Sequence, residues 1–348
     1  MRISEYLKEL SKKKISNIVI YENDINLGFV GTVNRGMSYS DNDIVLLNSD
    51  TEVTENWLLK IKRVAYSNER IATVTPLTNS GTICSIPVFC EDNNIPSNFT
   101  IEEYANIVEK TSLRIYPSIP TAVGFCMYIK RKVINEIGLF DVETFGKGYG
   151  EENDFCCRAL EKGYTHVLCD DTFIYHKGSA SFNENKKKFI ENNLKTLYDR
   201  YPYYPKMIEN FISKNPLKDI QDNIKLQIKL RNEKNNILYV VHNDFLEGEN
   251  HPIGGTEFHV KDLIENMEEC NAYVMFLKEN QIIVETFVNN EIIDFRFTIK
   301  DIINSFNFSI SSYRSKVDEI IEYFNIDLIH IHHLKTHTLD IVDIAQKR

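Results

Sequence analysis

One tryptophan, no Cys-x-x-Cys pair, no apolar stretch long enough to span a bilayer and no surplus of basic residues mark this 348-residue chain. Each shortage removes a class of function. The seven cysteines (Cys84, Cys90, Cys126, Cys156, Cys157, Cys169 and Cys270) lack the spacing of zinc or redox motifs. Several stand in apolar runs, so they read as reduced core residues. Met1 to Leu10 carries Arg2, Glu5, Lys8 and Glu9. It therefore lacks a signal-peptide apolar centre, and a cytoplasmic protein without a transmembrane segment is expected, with peripheral membrane association left open. Forty basic residues against fifty acidic ones give a net charge of -10, which argues against nucleic acid as a partner. The Lys186-Lys187-Lys188 run is expected to be a solvated helix face. No Ser-His-Asp or Cys-His arrangement stands out, so a covalent nucleophile is not expected.

What is present is an α/β texture. A hydrophobic content of 43% supports real cores, and the length suggests two domains. The apolar run Ile44-Val45-Leu46-Leu47 reads as a strand buried on both faces, ending in Asn48-Ser49-Asp50. A carboxylate at a strand's carboxyl end is well placed to hold a cation against a phosphate. Equally, Asp50 reads as the cap of a helix beginning near Thr54, which on this ground alone is the commoner role. Behind Gly146, Gly148 and Gly150, the stretch Glu151-Glu152-Asn153-Asp154 packs three carboxylates into four positions. Mutual repulsion raises at least one carboxyl pKa and so makes a base; the alternative is a solvated acidic helix start before Phe155 to Glu161. His176 follows the apolar run Thr172 to Tyr175, where an ordinary strand-end histidine is the plainer reading. Trp57 is expected to pack with the helix that follows it, and the loop Thr78-Asn79-Ser80-Gly81 to form a turn. Ile15 to Tyr21 is expected as a strand, and Gly124-Phe125-Cys126-Met127 as the start of another whose residues are mainly packing.

Taken together, the run Asn26 to Met37, the strand ending in Asn48-Ser49-Asp50, the Gly148-Tyr149-Gly150-Glu151-Glu152-Asn153-Asp154 stretch and the His176-Lys177-Gly178-Ser179 turn resemble glycosyltransferase family 2 over about the first two hundred residues. The resemblance implies the GT-A fold, a Rossmann-like mixed sheet, and an inverting, metal-assisted transfer from a nucleoside-diphosphate sugar to an acceptor hydroxyl on a glycan or other molecule. Asn48-Ser49-Asp50 is similar to the family's Asp-x-Asp motif with an amide in first place, so Asp50 and His176 take the metal role, with manganese or magnesium favoured. Glu152 stands where the family's base stands, a Glu where an Asp is usual, and Glu151 and Asp154 fall at acceptor binding and orientation. Asn26, Gly31, Asn34, Arg35, Asn48 and Asp50 fall on the donor side. The resemblance also implies a role in polysaccharide or glycan synthesis.

Past residue 200 the texture changes. Asn183 to Arg200 reads as an amphipathic helix broken by Tyr201-Pro202-Tyr203-Tyr204-Pro205, and 201–235 as a helical connector between a GT-A-like domain at 1–200 and a second domain at 236–348. That second domain opens with the strand Asn236 to Val241, a loop through Gly248, and Gly254-Gly255-Thr256-Glu257 starting a helix to Met267. Its Gly-Gly-Thr-Glu loop and the strand end His330-Ile331-His332-His333 resemble the amino-terminal half of glycosyltransferase family 4, a GT-B fold. Period-two alternation sends His330 and His332 to one face and His333 to the other, which speaks against a metal there. Relative to both families the chain is expected to be cut short, without the first β-α-β donor unit of one and without the second half of the other. It is then an internal piece of a larger bifunctional enzyme or a degenerate relative, with weak nucleotide binding. The rival reading is a noncatalytic glycan-binding or scaffold fragment.

Overall fold

The computed structural model describes residues 3–13, 15, 17–146, 148–178, 184–231, 234–242, 254–267, 269–288, 291–301, 303 and 308–347. The loop through Gly248, Asn183 and Ser179 lie outside the described residues, as do the side chains of Lys186, Lys187 and Lys188. The chain divides into two compact units, Met1–Ile224 and Lys225–Arg348.

The first unit begins with α1 (Ile3–Lys12), α2 (Gly28–Met37), β1 (Ile44–Leu47), β2 (Thr51–Glu52), α3 (Trp57–Ala65) and β3 (Ile71–Leu77). It continues through α4 (Ile101–Thr111), β4 (Ser118–Ile119), β5 (Cys126–Ile129), α5 (Arg131–Ile137), α6 (Val142–Phe145), α7 (Glu151–Glu161), β6 (Thr165–Phe173) and β7 (Tyr175–His176). The helices α8 (Glu184–Arg200), α9 (Tyr204–Lys214) and α10 (Lys218–Leu230) follow, the last crossing the division between units. Five strands make a mixed sheet in the order β1-β5-β3-β6-β4. Only β3 and β6 run parallel; β1, β5 and β4 pair antiparallel to their neighbours. Every residue of β3 is buried, as its unbroken run of apolar and threonine side chains requires when both faces are covered. α3 and α4 pack on β3 and β6. Met127 and Ile129 of β5 point instead into a core with Val30 of α2, Val133 of α5 and Phe155 of α7. α4 is fixed by a capping box: Thr100 Oγ accepts the Glu103 N–H at 3.2 Å, and the Glu103 carboxylate accepts the Thr100 N–H at 2.8 Å.

Two expectations are corrected here. Ile15 to Tyr21 is not a strand: Ile18 N–H turns back onto the Ile15 carbonyl, and Ile18, Val19 and Tyr21 are exposed. A strand exists through its ladder, and no neighbouring edge takes this segment. Asp50 does not cap α3, whose cap position is Asn56, in the left-handed region and without a side-chain cap bond.

The second unit contains β8 (Asn235–Val240), α11 (Gly255–Asn266), β9 (Cys270–Lys278), β10 (Gln281–Val288), β11 (Glu291–Thr298), α12 (Ser311–Tyr323), β12 (Leu328–Ile331) and α13 (Asp340–Ala345). Its sheet runs β11-β10-β9-β8-β12, with β8 parallel to β9 and β12 and an antiparallel meander through β9, β10 and β11. The rings of His330 and His332 lie 4.1 Å apart, whereas the His333 ring packs, tilted, against His242 at 4.2 Å, as period-two alternation requires.

Candidate active site

At the end of β1 the backbone N–H of Asn48 donates to the Phe125 carbonyl at 2.9 Å, and the Thr51 hydroxyl donates to the Asn48 carbonyl at 2.7 Å. This turn delivers Asp50 to a two-residue ribbon in which β2 pairs with β7, Thr51 opposite His176, extended by the Lys177 N–H donating to the Asp50 carbonyl at 2.9 Å. The ribbon brings Asp50 Oδ2 to 3.4 Å from His176 Nε2. His176 Nδ1 lies 2.7 Å from the Ser80 carbonyl oxygen, which can only accept, so the proton is assigned to Nδ1. In the neutral ring, Nε2 then turns a lone pair toward the Asp50 carboxylate. Two electron-rich groups facing each other fit a bound cation between them, and a ring nitrogen pinned by a backbone carbonyl is the usual way to orient an imidazole ligand.

His176 is held on three sides. Asn79 accepts its backbone N–H at 2.8 Å and donates to its carbonyl at 3.0 Å, and the Phe125 ring stacks on the imidazole with centroids 5.4 Å apart. Asn79 is buried, although the sequence reads only as a turn; paired donor and acceptor from one amide is the signal that spacing does not carry.

Beside this pair opens a cavity of about 480 Å³ lined by Asn48, Gly124, Phe125, Glu151, Glu152 and His176, among others. That volume is within the usual ligand-pocket range. α7 presents Glu151 and Glu152 from its first turn, after a glycine cap at Gly150 whose φ of 114° belongs to the left-handed region. The Gly124 N–H donates to Glu152 Oε2 at 3.1 Å. Burial foremost, then the neighbouring Glu151 carboxylate, pushes the Glu152 carboxyl up to about 8, and the Gly124 N–H opposes this. Glu151 is 3% exposed, raised by burial, and its Oε2 has no hydrogen-bond partner. A buried carboxylate oxygen left open at a cavity wall is a ready acceptor for a ligand hydroxyl.

The family model described as glycosyl transferase family 2 matches residues 2–138. The mixed α/β sheet of the first unit is of the GT-A, Rossmann-like kind. The matched family 2 segment takes in Asn48, Asp50 and Gly124 and ends before Glu151, Glu152 and His176. Among solved structures, the chain is similar to GalNAc-T7 with UDP, GalNAc and Mn2+, at 14% identity and a TM-score of 0.40, over 64% of this chain and 46% of that one. The chain thus spans under half the length of that protein. No curated protein matches the chain.

Other residues expected at the site are placed elsewhere. Asp154 does not line the cavity. Its carboxylate is fully buried and accepts from Arg158 Nε at 2.8 Å, Arg200 Nη1 at 2.6 Å and the Tyr201 hydroxyl at 3.0 Å. With its lone pairs taken by two guanidinium groups and a phenol, it anchors α7 to α8. On the donor side, Asn26, Gly31, Asn34 and Arg35 of the family 2 segment are also away from the cavity. Asn26 caps the Gly28 N–H at 2.9 Å, and Asn34 both accepts from and donates to the Phe140 backbone, at 3.1 and 2.8 Å. Arg35 donates to the Glu22 carbonyl at 3.0 Å, and a side chain at Gly31 would press on Leu27 at 3.0 Å. α2 reaches the cavity through Phe29, which the sequence did not single out. Among the described residues no group of three or more side chains is arranged as a metal site. Asp50 and His176 would therefore be only part of a coordination sphere, as is common for magnesium or manganese shared with substrate phosphates.

Proposed function

We propose that the first unit is an inverting glycosyltransferase that moves a sugar from a nucleoside-diphosphate sugar to an acceptor hydroxyl in the cavity between Glu152 and His176. The observation that carries this reading is the joining, in one cavity, of a carboxyl raised toward neutral pH and an imidazole whose free nitrogen faces a carboxylate. Glu152 takes the acceptor proton as the hydroxyl oxygen forms its bond to the anomeric carbon and the bond to the diphosphate oxygen breaks on the opposite side. A base with a pKa of about 8 is well matched to that task, because enough carboxylate is present near neutral pH and its proton affinity is high. Glu151 offers its open oxygen to a second acceptor hydroxyl and orients the nucleophile. Asp50 and His176 hold a divalent cation, manganese or magnesium, which when bound supplies neutralising charge to the departing diphosphate.

The second unit, with its β8-α11-β9 crossover and its Gly254-Gly255-Thr256-Glu257 and His330-Ile331-His332-His333 stretches, is proposed as a family 4-like domain. Polysaccharide synthesis and a cytoplasmic setting belong to the same proposal; no described helix is long and apolar enough to cross a membrane. The test is turnover of nucleotide sugars in the presence of manganese, with Glu152→Gln alongside. Turnover that falls at least 10²-fold in the variant supports the base. Full turnover in Glu152→Gln removes Glu152 as the base, and no turnover in the unaltered chain despite donor binding favours a noncatalytic glycan-binding role.

A further inference from the structure

Gly124 does not owe its identity to backbone conformation, because its φ is not among the positive glycine values of the chain. A Cβ built there would lie 1.6 Å from Glu152 Oε1, 2.3 Å from its Cδ and 2.7 Å from its Oε2. No other neighbour is among the three closest atoms. The space left by the missing side chain is the place in which the Glu152 carboxylate sits, and the same residue's N–H donates to that carboxylate at 3.1 Å. We propose that Gly124 is a positioning residue for the base: its bare α-carbon and its N–H together form the seat that holds the Glu152 carboxylate at the cavity wall, and any side chain there expels it. This inference rests on the reading of Glu152 as the base, and it assigns a functional reason to a residue that the sequence presents as packing.

The seat also accounts for the environment of the carboxyl. The groups that face it are the Glu151 carboxylate, the Cys156 thiol and the Gly124 N–H, while His176 lines the same cavity. Held there, the carboxyl is partly withdrawn from water and is pushed up to about 8. Because Glu152 is the far end of a flexible side chain, the least disruptive response to an added methyl is for the carboxylate to swing out, leaving the fold in place.

The test uses the full chain carrying carboxyl-labelled glutamate, with the Glu152 signal identified by its loss in Glu152→Gln. In Gly124→Ala the Glu152 titration should fall from about 8 toward the ordinary carboxylate value of 4.5. Turnover should drop about 10²-fold with the donor KM unchanged, as expected when a reacting group is displaced by about 1 Å. Shortening the base makes room again, so Gly124→Ala/Glu152→Asp should regain at least tenfold over Gly124→Ala. Should Gly124→Ala lose its fold, the double variant must recover it, since only the carboxylate stands in the way; loss of fold in both overturns the assignment. A Glu152 titration unmoved by Gly124→Ala also overturns it. A titration that moves in a chain without transferase activity supports the seat and removes the catalytic reading of Glu152.

Discussion

Replacing Glu152 with glutamine should make the first unit more stable at alkaline pH while removing its proposed chemistry. Glu152 is half-buried, and its carboxyl is held at about 8 against an ordinary 4.5. A carboxyl raised on folding gives stability that is present in full below the unfolded value and lost as pH rises through the folded one. The loss therefore develops between pH 4.5 and about 8. Taken in full, the shift corresponds to roughly 5 kcal/mol, and allowing for the side's opening to solvent the expected penalty at pH 9 is about 3 kcal/mol. Glutamine keeps the shape and an oxygen for the Gly124 N–H but never ionises. Urea unfolding followed through Trp57, the chain's one tryptophan, reports on this unit alone. Glu152→Gln should exceed the unaltered chain by about 3 kcal/mol at pH 9, with the gap closing toward pH 5. Equal stability at both pH values would show that the carboxylate is not desolvated on folding and would refute the reasoning.

Asp50→Ala and His176→Ala should each abolish the manganese-dependent part of nucleoside-diphosphate binding seen by calorimetry; binding heat that persists with manganese in both would remove the cation from this pair. Asp154→Asn should destabilise the first unit by about 3 kcal/mol, because it leaves Arg158 and Arg200 short of a buried partner, yet reduce turnover far less than Glu152→Gln does. His166, fully buried between Thr73 and the Cys156 carbonyl, is held down at about 4 by desolvation. The unfolded ring takes up a proton below about 6.5 that the native one refuses, so in the Glu152→Gln background stability should fall by about 3 kcal/mol between pH 7 and pH 4, as read from urea midpoints.

Much of the fold was written in patterning. β5 and β8 stand where apolar runs need cover, and α7 where acidic residues meet a helical period, but β1, expected to be buried on both faces, is an edge strand of half-buried residues that ends in an exposed Leu47. The meander through β9, β10 and β11 was missed, although Cys270–Lys278 and Gln281–Val288 are apolar stretches separated by Glu279-Asn280, with Glu279 at a φ of 58°. Ile15 to Tyr21 was misread for the opposite reason: composition favours a strand there, but composition does not supply a partner edge. Within the site, Glu151, Glu152 and Asp154 look alike in sequence. At about 100° per residue, Asp154 is carried some 200° around the helix from Glu152, away from the cavity and into Arg158 and Arg200. Ser80 and Gly124 act through backbone groups and empty space, and Asn79 through an amide that grips the His176 backbone, roles that residue type alone does not announce.

The ribbon that joins residues 50–52 to 175–177 is only two pairs long, yet it links the segment after β1 to the segment after β6, which are not neighbours in the sheet. A ligand that relieves the opposed lone pairs of Asp50 and His176 therefore also fastens these two distant stretches of chain to each other. Occupancy of a few oxygen and nitrogen atoms would be felt as slower amide exchange along both strands, so that loading of the donor becomes legible well beyond the atoms that touch it.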